Sequence, residues 1–129
     1  MRCILLAALS VFALSCEQNT YQQGRNLYEY YCANCHMGNG SGLEGLIPPL
    51  AGADSFLLAN RDRLACYIQH GLKDTIEVAG RIYAQEMPGV KELTPYEISN
   101  LLNYLQSEWA PGLGYFRIDE IKETLENCK

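Results

Sequence analysis

No apolar run in this sequence is long enough to cross a bilayer. The longest, Ile4 to Leu14, has eleven residues and is broken by Ser10, whereas a spanning helix takes about 20. Positive charge is scarce and unclustered. Ten Lys and Arg stand against 15 Asp and Glu, for a net charge of −5, which excludes the basic footprint of a nucleic-acid binder. The glycine-rich stretch Gly38 to Gly45 lacks the Lys-Ser/Thr of a phosphate-cradling loop, and no strand pattern precedes it. A second Cys-x-x-Cys is missing, so a structural zinc site built from two knuckles is excluded. The single pair has no βαβ surroundings, which argues against a thioredoxin-like dithiol. Imidazole and thioether are rare too: there are two histidines and three methionines, so each candidate ligand can be weighed individually.

What is there is concentrated in five residues, Cys32-Ala33-Asn34-Cys35-His36. In the pattern Cys-x-x-Cys-His, two thiols add across the vinyl groups of a haem and the histidine reaches the iron. The spacing has a physical cause, because cysteines three apart lie on one face of a helical turn and meet one edge of a flat macrocycle. Cys32 and Cys35 are therefore the expected attachment points of one covalent haem c, and His36 the expected proximal ligand. For the other axial position Met1 leaves with the leader described below, and Met37 adjoins His36 and cannot swing round to the far haem face. Met87 remains, 51 residues after His36, in a Met87-Pro88-Gly89 turn. The bland alternative is a loop methionine packed in the core. His70, in the last turn of a helix, is the alternative ligand.

Met1-Arg2 followed by the short apolar run reads as a secretory signal over residues 1–15. It ends at Ala13-Leu14-Ser15-Cys16, which resembles a bacterial lipoprotein cleavage box with Cys16 as the lipid-bearing thiol. A plain cleaved signal with a free Cys16 is the alternative. Residues 16–20 form a polar tether and residues 21–129 one domain. Export to the periplasmic side suits both haem attachment and disulfides, which belong outside the reducing cytoplasm.

The rest of the chain reads as helices. Tyr21, Gly24, Leu27, Tyr28 and Tyr31 share one helical face leading into the cysteine motif. Gly24 is costly in a helix, which suggests that another helix crosses there. The loop glycines after His36 are expected to let backbone pass close to a porphyrin edge. In Ile47-Pro48-Pro49-Leu50, the prolines stiffen the chain so that a carbonyl can accept the imidazole N–H. Asp54 or Ser55 is the expected cap of a short helix, and a second helix runs from about Asn60 to His70 and stops at Gly71. Thr75 to Tyr83 reads as an extended pair or hairpin. Thr94-Pro95-Tyr96-Glu97 is a capping box opening a helix with Ile98, Leu101, Leu102, Leu105 and Trp109 on one stripe. A last amphipathic helix starts near Asp119, with Ile121 and Leu125 inward.

These pieces in this order resemble the class I c-type monohaem cytochromes, from about Tyr21 to Trp109. The resemblance rests on Cys32, Cys35 and His36, on Pro48 before Leu50 as the imidazole's partner, and on Met87-Pro88. Gly80-x-x-Tyr83 before Met87 is similar to small cytochromes that accompany bacterial terminal oxidases and nitrite reductases. The implied fold is all-α, a cytochrome c-like set of helices around one covalent haem, with a short hairpin before the methionine and an extra C-terminal helix. The implied ligands are His36 and Met87, with Pro48, Leu50 and Tyr83 also at the haem. The implied function is an electron carrier, not an enzyme, anchored by lipid and working between a membrane donor and a terminal oxidase or reductase. The alternatives are an open-iron haem enzyme or gas sensor, and a fixed subunit of a larger respiratory complex. Cys66 and Cys128 are the even pair left over once Cys3, which lies in the expected leader, Cys16 and the haem thiols are set aside. Cys66 points away from the Leu64 and Ile68 face, so a disulfide is expected to clamp the last helix onto it.

Overall fold

The computed structural model describes residues 21–128. The segments expected to be a leader, 1–15, and a tether, 16–20, lie outside the described residues, and so does Cys16, the expected lipid site. Helix α1, Gln22–Tyr31, runs almost without a break into the four-residue α2, Ala33–His36. After a long loop come α3, Asp54–Ala59, a 3-10 turn, Arg61–Arg63, and α4, Leu64–His70. Then follow the strands β1, Gly71–Leu72, β2, Ile76–Val78, β3, Arg81–Tyr83, and β4, Met87–Pro88. Helix α5, Pro95–Glu108, and helix α6, Ile118–Glu126, complete the order, with a 3-10 turn, Pro111–Leu113, between them.

The all-α expectation holds roughly but not exactly. Helices dominate, and among the described residues four short strands form two antiparallel pairs, β2 with β3 and β1 with β4. The first pair is the hairpin expected before Met87. The second joins segments about fifteen residues apart, and two residues per strand are too few for any period to show.

Two helices frame the core. The α5 start is set as its sequence suggests: Thr94 Oγ1 accepts from the Glu97 N–H at 3.3 Å, and Glu97 Oε2 accepts from the Thr94 N–H at 2.8 Å. Ile98, Leu101 and Leu102 are fully buried on its inner stripe. Helix α1 crosses α5 at Gly24. A methyl group there would meet the Asn100 carbonyl oxygen and lie 2.6 Å from Tyr104 Cβ. Only a residue without a side chain permits the helices to approach so closely. The buried Tyr28 stacks obliquely on Tyr104 and Trp109, with ring centroids 5.7 and 5.0 Å away.

The expected cap of α3 does not form. The helix begins at Asp54 behind Ala53, and no side chain caps it. Ala53 is almost fully buried, so packing rather than a hydrogen-bonding side chain fixes where α3 starts. Among the described residues no helix is long and apolar enough to cross a membrane.

Candidate haem site

Cys32 is the residue between α1 and α2, and the rest of the cysteine motif is α2 itself. The amides of Cys35 and His36 both bond the Cys32 carbonyl, at 3.1 and 2.9 Å, so the motif is a single helical turn. His36 is buried. Its Nδ1 lies 3.1 Å from the Pro48 carbonyl oxygen. A carbonyl only accepts, so Nδ1 carries the proton and Nε2 keeps its lone pair. Burial also holds the imidazole below its usual pKa, although the Pro48 bond pulls the other way. A neutral imidazole with Nε2 free is the form that binds a metal.

The loop from residue 37 to 50 is what delivers Pro48. The Gly42 N–H bonds the His36 carbonyl at 3.0 Å, and Leu43 bridges Ile47. Gly42 has a φ of 63°, and a Cβ there would run into the carbonyl oxygens of Ile47 and Pro48. The structure thus gives this glycine a different use from the expected one at a porphyrin edge: it lets the loop close on its own Ile47–Pro48 segment.

Neither Cys32, half-buried, nor Cys35, exposed, is part of a disulfide. Burial, followed by the neighbouring Cys35, pushes the Cys32 thiol up to about 12. Redox-active and metal-binding thiols are instead held as thiolates by lowered pKa values. Cys32 is held the other way.

Both cysteines and His36 open onto one cavity. Leu57, Leu64, Ile68, Val78, Leu101 and Leu102 give its interior an apolar lining. The exposed Asp74, Gln85 and Glu86 are also at its wall. Met87 lines the same cavity, as do Pro48, Leu50 and Tyr83. His70 does not. It is exposed and lies on a separate groove beside α6, so the histidine alternative for the second ligand falls away.

Met87 owes its place to a contact that sequence reasoning missed. Strand β4 pairs with β1 in the register Gly71 to Pro88 and Leu72 to Met87. The Val90 N–H bonds the Ile68 carbonyl at 2.8 Å. A Cβ on Gly71 would lie 2.5 Å from the Met87 carbonyl oxygen, and one on Gly89 2.5 Å from the Gln69 carbonyl oxygen. The methionine turn is thus pressed backbone to backbone against the end of α4. The only signal for this was the glycine on each side, Gly71 and Gly89.

A long apolar crevice suits a flat apolar macrocycle. Two thiols at one edge, a neutral imidazole and a thioether on its walls supply the donors of a covalently held haem. The fold and site define a protein of the haem-thioether class. A model of the cytochrome c family matches residues 21–109, and the chain belongs to that family as a class I c-type cytochrome. It is similar to a cytochrome c-552 of Thermus thermophilus, 33% identical over 131 residues that cover 95% of this chain and 86% of that protein. Another Thermus thermophilus cytochrome c-552 is 35% identical over 100 residues, 71% of this chain and 76% of that protein. The cytochrome c subunit of a quinone alcohol dehydrogenase from Gluconobacter oxydans is 32% identical over 95 residues, 69% of this chain and 19% of that protein. Members of the family bind haem c covalently and carry electrons, and the protein is an electron carrier of this kind.

The tail beyond the family match is closed by a disulfide. Cys66 of α4 is bonded to Cys128, just after α6, with 5.7 Å between the Cα atoms.

Proposed function

We propose that this protein carries single electrons on the periplasmic side, with haem bonded to Cys32 and Cys35 and His36 and Met87 as axial ligands. The observation that carries the assignment is one apolar cavity lined by both His36 and Met87. When bound, haem iron supplies a reversible one-electron couple. The chain contributes the rest. His36 presents Nε2 because Pro48 fixes the Nδ1 proton, and Met87 presents a thioether, a ligand that raises the potential. The hairpin β2–β3 turns Ile76, Val78 and Tyr83 toward the cavity, keeping water from the metal. With His36 and Met87 both holding the iron, the protein would leave no place for a substrate, and the haem would supply one-electron transfer with little rearrangement.

The reading extends to an exported lipoprotein held by Cys16, moving electrons between a membrane donor and a terminal oxidase or reductase. Absorption spectra of the purified protein in both oxidation states test the ligand set. The expected result is a low-spin haem with the long-wavelength methionine–iron band when oxidised. A missing band, with rapid cyanide or carbon monoxide binding, would favour an open-iron enzyme or sensor. A second reading, a fixed subunit of a respiratory complex, is favoured by the similarity to a dehydrogenase cytochrome subunit. Purification as a stable complex rather than as a free monomer would support it.

A further inference from the structure

Helix α4 has seven residues, too few to hold its shape without neighbours. Leu64, Ala65 and Ile68 fix one side of it in the core. The tail fixes the other. Cys66 is bonded to Cys128. A little earlier, Arg61 donates from Nε to the Leu113 carbonyl at 2.8 Å and from Nη2 to the Tyr115 carbonyl at 3.3 Å. It also pairs with Glu120, and its guanidinium lies 4.4 Å from the centre of the Phe116 ring. The tail is itself bound to α5. Asn103 accepts from the Phe116 N–H at 2.8 Å and donates to the Phe116 carbonyl at 2.9 Å, and Ser99 donates to that same carbonyl at 2.9 Å.

The far end of α4 is the seat of Met87, as the β1–β4 register and the two glycine contacts show. Gly71 and Gly89 bring bare backbone to the junction, so it has little slack.

We propose that residues 113–128 act as a strut for the sixth ligand: by gripping Arg61 and Cys66 they hold α4, and through α4 they hold the Met87 sulfur in position. The proposal rests on the His36 and Met87 ligation given above. Arg61, Cys66 and Cys128 are positioning residues, and none of them lines the haem cavity. Loosening the strut makes local opening of the Met87 turn easier than global unfolding.

The test uses oxidised full-length holoprotein carrying C66S and C128S together, with cyanide as the probe of a free sixth position. Cyanide binding is expected to be about tenfold faster than in the parent, equivalent to about 1.4 kcal/mol. The methionine–iron band should survive at neutral pH but be lost at a lower alkaline pH than in the parent. Thr94→Ala serves as the comparison, because it removes the α5 cap, costing about 1 kcal/mol, and the hydrogen bonds of its hydroxyl are with Glu97 rather than with α4 or the tail. It should lower the melting temperature and leave the cyanide rate unchanged. An unchanged rate in the double variant, or equal acceleration in T94A, overturns the strut. Should the double variant not accumulate, R61Q, which keeps the disulfide, is read in the same way. A parent protein without the methionine–iron band would remove the ligand reading, and the strut with it, so the two failures are distinguishable.

Discussion

The buried hydroxyl of Tyr28 donates to the carbonyl oxygen of Met37 at 2.6 Å. This bond ties the body of α1 to the residue following His36, where the backbone turns left-handed with a φ of 62°. A methionine in that conformation is held there by its surroundings. Tyr28→Phe keeps the ring packing and leaves the carbonyl without its donor. The expected cost is about 1 kcal/mol, read as a lower denaturant midpoint with haem still attached. An unchanged midpoint would mean that solvent replaces the hydroxyl.

Gly24→Ala forces a methyl group against the Asn100 carbonyl and Tyr104 Cβ. Separating α1 from α5 strains the packing of Tyr28 as well, so the loss is expected to be about 1 to 3 kcal/mol. Thermal unfolding of the holoprotein measures it. A neutral result would contradict the close crossing.

Met87→Ala should lower the reduction potential and open the iron to cyanide and carbon monoxide, because a thioether that favours the reduced state is gone. His36→Ala should prevent mature holoprotein from accumulating. Normal amounts of His36→Ala holoprotein, judged by haem staining under denaturing conditions, would contradict its role.

Glu120 gives a pH dependence of known sign. The Arg61 guanidinium beside it holds its carboxyl below the usual carboxylate range, against the opposing effect of burial. The folded state therefore binds this proton less tightly than the unfolded chain. The resulting stability is complete above the ordinary glutamate pKa of about 4.3 and is lost as pH falls through the depressed value. Glu120→Gln should flatten the decline of the urea midpoint between about pH 5 and pH 3. Parallel declines in the parent and the variant would show that the pair contributes nothing.

Legibility in the sequence followed the range of the interactions. Cys32 to His36 could be read directly because five adjacent residues carry the whole pattern. The Thr94–Glu97 box and the stop at Gly71 are equally local, and both formed as expected. The carbonyl that meets His36 was legible through the stiffness of Pro48-Pro49, but the reason for Gly42 was not, since it depends on where the loop closes. Asp54 and Ser55 have the chemistry of caps, yet burial of Ala53 decided the start of α3. The pairing of Gly71–Leu72 with Met87–Pro88 and the grip of Arg61 on Leu113 and Tyr115 join distant segments. Neither leaves a periodic trace, and both act on the candidate sixth ligand.

Asn103 and Ser99 sit on the buried side of α5, and their polar atoms are satisfied by the backbone of Phe116. A chain cut after Trp109 would keep every residue of the family match and still lose those partners. An amide and a hydroxyl would then face solvent or an apolar neighbour along a helix otherwise built for burial. The residues after Trp109 are consequently no detachable appendix. Grafting residues 21–109 alone into another protein would require rewriting α5 at positions 99 and 103.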